Sequence, residues 1–251
     1  MKIHPLFSTF ANAVKKAEIE SDKICLVSDF LYQPKISEYL GFDLFHVTRG
    51  RSIPFATGMK LGNPKLKVVV FVGDLITLGG NHFMHASRRN MDIVVICVNN
   101  FLYPKINGKK SPTIKSAFSP YSVFERPVNI PHVARSSRAV YVARWTALHK
   151  KELTESMTRA LGKSGFSVIE VISPGNCYFA GIPASPKENE LIEFYHKNSE
   201  IKNDEDTKNV EITAEKKIIV GKFFEKKRPT YIDSYNERHS KVIGDKFKIY
   251  E

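Results

Sequence analysis

Gly73-Asp74 and Asn99-Asn100 are the residues whose types and spacing best suit chemistry. Each pair follows an apolar, largely β-branched run, residues 68–72 for the first and 92–98 for the second, the composition of strands buried on both faces. A carboxylate and a carboxamide are thus expected at the carboxyl ends of two strands, where open α/β sheets bind ligands. An oxygen pair of this kind suits a hard divalent cation that also holds a phosphate. Gly79-Gly80 would let backbone N–H groups come close to a pyrophosphate. The same Gly, Asp and Asn would equally serve a plain buried unit as turn and cap residues.

The elements that must position these groups can be read around them. Residues 78–90 carry a helical pattern, with Phe83, Met84 and Ala86 available to pack and Arg88 and Arg89 in the last turn. Strand, turn, helix and strand make a βαβ crossover with parallel strands. Upstream, the spacing predicts a helix over 4–19, a buried strand over 24–27 ending in Ser28-Asp29, a short helix over 35–40, a strand over 44–47 and a helix over 53–61. Downstream, residues 101–120 contain three prolines and no periodicity, a long loop leaving the candidate site directly. A helix over 131–136, a strand over 139–143, a helix over 151–162 and a strand over 167–172 follow. This alternation predicts an α/β fold, a doubly wound parallel sheet over 1–175. Residues 176–251 read as a C-terminal extension: a helix over 188–197, a polar linker over 202–215 with the composition of a mobile segment, a strand over 218–224 and a basic, aromatic tail.

Composition narrows the functional classes. Hydrophobic content of 42% and charged content of 25% are ordinary for a globular protein. No apolar run of about 18 residues suggests a membrane span, and the start lacks a signal-peptide core, so a cytoplasmic location is expected. Cys25 and Cys97 fall inside strands as core thiols, and Cys177 falls in a loop; without CxxC spacing they encode neither a disulfide framework nor a metal knuckle. The net charge of +12 is dispersed and no nucleic-acid-binding signature accompanies it. A basic surface facing water or an acidic partner is expected instead.

Gly73-Asp74 followed by Asn99-Asn100 resembles the thiamine diphosphate motif. The stretch GGNHFMHASRRNMDIVVICVNN, with Ser111-Pro112-Thr113 after it, resembles the β subunit of 2-oxoacid:ferredoxin oxidoreductases, the pyruvate and 2-oxoglutarate synthases. RGRSIPFATGMKLGNP from Arg49, SPYSVFERP from Ser119 and FFEKKRPTY from Phe223 are similar to family segments in the family's order. The resemblance implies the thiamine diphosphate-binding fold, with Mg²⁺ held by Asp74, the Asn100 side chain and the Leu102 carbonyl. It implies diphosphate contacts from Arg49, Gly73, Leu75, Lys105 and Ile106, and it places Lys35 near the substrate carboxylate. The implied reaction is oxidative decarboxylation of a 2-oxoacid to an acyl-CoA, or its reverse, with CoA as co-substrate and ferredoxin served through the complex. The implied partners are an α-type subunit that completes the site, and γ/δ-type subunits.

The sequence also departs from that family. The family's four cluster cysteines fall at His4, Phe7, Tyr32 and Gly175, so a four-iron four-sulfur cluster is expected to be absent from this chain. The cofactor turn is two residues short. Holding register from Pro64 puts Asp74 at the metal, whereas holding it from Gly79-Gly80 puts Val72 there. Arg49-Gly50-Arg51 replaces His-Gly-Arg, and Ile106-Asn107-Gly108-Lys109 replaces Thr-Gly-Gly-Gln, both adding positive charge that suits an anion. A catalytic β subunit is the first reading; a non-catalytic paralogue keeping the fold and the subunit interface is the second.

Overall fold

The computed structural model describes residues 5–29, 41–73, 75–76, 78–99, 127–146, 148–172, 195, 197–213 and 216–251. Six parallel strands form the centre of one sheet: β1 (Ile24–Ser28), β2 (Asp43–His46), β3 (Lys67–Val72), β4 (Ile93–Asn99), β5 (Tyr141–Thr146) and β6 (Ser167–Ile172). Two later strands, β7 (Ser199–Ile201) and β8 (Ile218–Glu225), extend it to the order β2-β1-β3-β4-β6-β5-β8-β7. β8 runs antiparallel to β5, so the strand expected within the extension continues the main sheet.

The strand residues alternate between two helical layers because successive side chains point to opposite faces. On one face Val69, Phe71, Ile96 and Ile169 pack with Leu6, Phe10 and Val14 of α1 (Pro5–Lys16) and with Leu153 and Met157 of α5 (Lys150–Leu161). Phe71 lies 5.6 Å from Phe7 and 5.2 Å from Phe10, ring centre to ring centre. On the other face Val68, Val70, Val95 and Val168 meet Ile53 and Ala56 of α2 (Ser52–Gly62), Phe83 and Ala86 of α3 (Gly80–Arg89), and Ile130 and Ala134 of α4 (Ile130–Ser136). Each fully buried Val or Phe contributes about 1.5–3 kcal/mol, so covering both faces specifies the doubly wound arrangement the alternation predicts. Cys25 and Cys97 are buried core thiols, and burial, then the Asp43 charge, pushes the Cys25 thiol up.

Two expectations differ from what is found. The strand expected over 139–143 forms over Tyr141–Thr146, because Ala139 N–H closes on the Ala134 carbonyl and Arg138 turns left-handed at φ 74° before it. Its carboxyl half passes through Arg144, whose charge masks the strand in the sequence. The polar stretch after residue 201 packs against the body rather than forming an open linker. Thr207, Val210 and Ile212 are buried, and Asn129 Nδ2 donates to the Thr207 carbonyl at 2.7 Å. Of the aromatic residues at the basic end of the chain, Phe223 is a core residue of β8, whereas Tyr231 and Tyr235 are exposed. The expected helices over 35–40 and 188–197 and the loop over 101–120 lie outside the described residues, except for Tyr195 and Lys197. Cys177 lies outside them too.

The tail returns to α3. Asn90 adopts the left-handed conformation at φ 54° that ends this helix, and its side chain donates to the carbonyls of Arg228 and Pro229 at 3.1 and 2.8 Å. From that anchor α6 (Tyr231–Ile243) begins, closed by a capping box between Thr230 and Asp233.

Candidate active site at the switch point of the sheet

The strand order reverses between β1 and β3, and the carboxyl ends of two such strands enclose the crevice where doubly wound sheets bind ligands. Asp29 follows β1 there, and Gly73 follows β3. The turn before α2 closes over both. Gly50 N–H donates to Asp29 Oδ2 at 2.9 Å, which fixes Arg49-Gly50-Arg51 against the end of β1. At φ 72°, Gly50 is in the region that favours glycine, and a Cβ would stand 2.3 Å from the Leu78 carbonyl oxygen. Close approach of backbone to backbone therefore joins this turn to the one leading from β3 into α3.

α3 opens on Gly79-Gly80; among the described residues no side chain caps its first turn, and that turn holds no acidic residue. The Gly80 N–H already donates to the Ile76 carbonyl at 3.1 Å, so it is the positive end of the helix dipole that suits an anion. Arg49 and Arg51 are exposed in the neighbouring turn, where Arg51 Nη1 donates back to the Gly50 carbonyl at 3.4 Å, so positive charge borders the crevice. Asp29 is 6% exposed. Burial pushes its carboxyl above the ordinary value, and the Gly50 N–H, the Ser52 hydroxyl and the Arg49 charge only partly offset this.

Deeper in the sheet, Arg144 and Glu170 face each other from β5 and β6, each 1% exposed on its side chain. Arg144 Nε donates to Glu170 Oε2 at 2.6 Å, and its Nη1 to the Val210 carbonyl at 2.5 Å. Asn99 Nδ2 donates to Glu170 Oε1 at 2.7 Å. The Asn99 amide is thus committed to the sheet interior.

Of the residues singled out in the sequence, the structure places Arg49, Gly73 and Leu75 around this crevice. Leu75 is buried among the apolar residues under α3, so only its backbone can face a ligand. Lys35, Asp74, Asn100, Leu102, Lys105 and Ile106 lie outside the described residues. Val72, the other residue that could have stood at the metal position, is buried in the same apolar layer. Sequence reasoning missed Asp29, Arg144 and Glu170; the available signal was a charged residue within or at the end of an otherwise apolar strand.

The family described as "Thiamine pyrophosphate enzyme, C-terminal TPP binding domain" matches residues 11–171. Over 247 residues the chain is 34% identical to "2-oxoglutarate synthase subunit KorB" of Methanocaldococcus jannaschii, covering 96% of this chain and 91% of that one. A protein of the same name from Methanothermobacter marburgensis is 38% identical over 234 residues, with 91% and 82% covered. "2-oxoacid:ferredoxin oxidoreductase subunit beta" of Sulfolobus sp is 36% identical over 175 residues, with 66% and 57% covered. Among solved structures, the 2-oxoglutarate:ferredoxin oxidoreductase from Magnetococcus marinus, with 2-oxoglutarate, coenzyme A and succinyl-CoA bound, shares the fold at a TM-score of 0.73 and 23% identity, covering 95% of this chain and 85% of that one.

Proposed function

This chain belongs to the thiamine pyrophosphate enzymes and, among them, to the β subunits of the 2-oxoacid:ferredoxin oxidoreductases; from that premise we propose that its switch-point crevice holds thiamine diphosphate and Mg²⁺ for oxidative decarboxylation of 2-oxoglutarate, or the reverse. The observation that carries the reading is the convergence of the α3 N-terminus, the Arg49-Gly50-Arg51 turn and the end of β3 on one crevice. These groups fit a diphosphate: the positive end of a helix dipole and two guanidinium groups, with no acidic side chain in the helix's first turn. The 2-oxoglutarate choice rests on the names of the relatives that match over most of the chain.

In this reading Asp74, the Asn100 side chain and the Leu102 carbonyl supply hard oxygen ligands for Mg²⁺. The burial of Val72 supports the register that gives Asp74 this role. The backbone of Gly73 and Leu75, with Arg49, Lys105 and Ile106, borders the diphosphate, and Lys35 pairs with the substrate carboxylate. Thiamine diphosphate, when bound, would supply a carbon nucleophile and an electron sink for decarboxylation. The protein's part is to hold and orient both molecules and to compensate their negative charge. Two electrons leave through ferredoxin and the acyl group passes to CoA, with α-type and γ/δ-type subunits completing the complex. This subunit carries no four-iron four-sulfur cluster, because the family's cysteine positions hold His4, Phe7, Tyr32 and Gly175. Iron and sulfide analysis of the purified chain checks this; about four irons per chain would refute it.

The test is CoA-dependent reduction of a ferredoxin by the co-purified complex, supplied with thiamine diphosphate and Mg²⁺, comparing 2-oxoglutarate with pyruvate. Turnover with 2-oxoglutarate is expected. Turnover with neither substrate by a folded complex would favour a non-catalytic subunit that keeps the fold and interface, a reading motivated by the shortened turn and the absent cysteines.

A further inference from the structure

We propose that Asp29 is a positioning residue for the diphosphate: as a hydrogen-bond acceptor at the end of β1, it holds the Arg49-Gly50-Arg51 turn against the entrance of α3, so that both border the bound anion. This deepens, and rests on, the reading of the crevice as a diphosphate site.

The turn is built so that one amide is left over. Arg51 N–H donates to the Thr48 carbonyl at 3.0 Å, and Val47 N–H to the Ser28 carbonyl at 2.9 Å, so the turn and the end of the strand that leads into it are closed by backbone alone. Gly50, at φ 72°, takes the third of the four turn positions, the one that calls for a positive φ. Its N–H plays no part in closing the turn, and a polar group left without a partner beside a buried strand end is costly. Asp29 Oδ2 accepts it at 2.9 Å, across 21 residues of sequence.

The same glycine is the surface on which the second loop rests. A Cβ at Gly50 would stand 2.3 Å from the Leu78 carbonyl oxygen, and one at Gly79 would stand 3.6 Å from the Gly50 carbonyl oxygen. Moving Gly50 therefore moves the wall that both loops share. One hydrogen bond from β1 fixes where two arginines stand relative to the first turn of α3, and placement of this kind governs affinity for a charged ligand.

Stability alone does not call for an acid here. Asp29 is 6% exposed, and burial pushes its carboxyl above the ordinary value, with the Gly50 N–H and the Arg49 charge only partly offsetting this. The tie itself needs no more than one acceptor oxygen. An Asn in the same place supplies one, and an Ala supplies none.

Wild type, Asp29→Ala and Asp29→Asn, each in the complex co-purified with its partner subunits, test this. Amide hydrogen exchange reads the tie without a ligand: the Gly50 and Arg51 amides should exchange at least about tenfold faster in Asp29→Ala and close to wild type in Asp29→Asn. Isothermal titration with thiamine diphosphate and Mg²⁺ reads the positioning. Affinity should fall about tenfold or more in Asp29→Ala and return in Asp29→Asn, while the urea midpoint of the Ala variant stays near that of wild type. Unchanged exchange at Gly50, or unchanged affinity in Asp29→Ala, would overturn the proposal and leave the cofactor reading standing. Equal weakening by Asn, or loss of the fold in Asp29→Ala, would overturn it too, since the charge or the support of the sheet would then be what Asp29 supplies. A folded wild-type complex that binds no thiamine diphosphate would overturn the cofactor reading and the proposal together.

Discussion

Asp29, buried, and Asp92, half-buried, are carboxylates at opposite ends of the same sheet, and their surroundings differ in a way that separates support from function. Asp92 stands just before β4, at the amino-terminal end. Lys60 Nζ approaches its Oδ2 at 2.8 Å, Lys67 Nζ its Oδ1 at 3.6 Å, and Gly165 N–H donates to it at 2.9 Å. Burial pushes the Asp92 carboxyl up, but the Lys67 and Lys60 charges outweigh it and hold the group below its ordinary value. Asp29, at the carboxyl end, has a backbone N–H donor and an arginine in the adjacent turn, and there burial wins. The first acid ties the bottom of the sheet together. The second carries a folding cost at a crevice, the pattern of a group retained for binding rather than stability.

The strongest challenge to this comparison is Glu170→Gln, which tests what a compensated buried acid contributes. Leaving Arg144 buried without its counter-charge should cost about 3–5 kcal/mol, read from urea unfolding. Asp92→Asn should follow at about 3 kcal/mol, because it strands Lys60 and Lys67 near a neutral amide. The pH dependence has a definite sign. Asp92's folded value is depressed, so its contribution is present above its unfolded value near 3.8 and is lost as pH falls through the lower folded value. Gly50→Ala should cost about 2 kcal/mol or more and weaken diphosphate binding, since its Cβ meets backbone rather than a movable side chain.

The smallest effect is the sharpest discriminator. Asp29→Asn should change stability by no more than about 0.5 kcal/mol, or raise it. Asp29's folded value is raised, so the wild type is favoured at low pH and loses that advantage as pH climbs from 3.8 through the raised value. The variant's relative stability should therefore increase over that window, opposite to Asp92→Asn. Equal losses at both positions would dissolve the distinction between the two ends.

The β3-α3-β4 unit was legible because its β-branched runs, Gly79-Gly80 and the basic last turn of the helix all point to one geometry. The site's supports were less legible. Arg144 falls just beyond the strand expected over 139–143 and Glu170 inside the one expected over 167–172, and a sequence does not show that they will face each other across β5 and β6. The stretch 202–215 read as a linker because Thr207 and Val210 find their partners, Asn129, His132 and Arg144, far away in the chain. Asp29 looked like an ordinary strand-end residue until the strand order set it beside Gly73 at the reversal point.

The central claim is that the carboxyl end of this sheet, and not its salt-bridged opposite end, binds thiamine diphosphate through a metal ion. Isothermal titration of the purified complex with thiamine diphosphate, with and without Mg²⁺ and for wild type and Asp74→Ala, tests it most directly. The account predicts saturable binding that requires Mg²⁺ and is abolished in Asp74→Ala while the fold is retained. Binding that is unchanged in Asp74→Ala, or no binding by a folded wild-type complex, would contradict it.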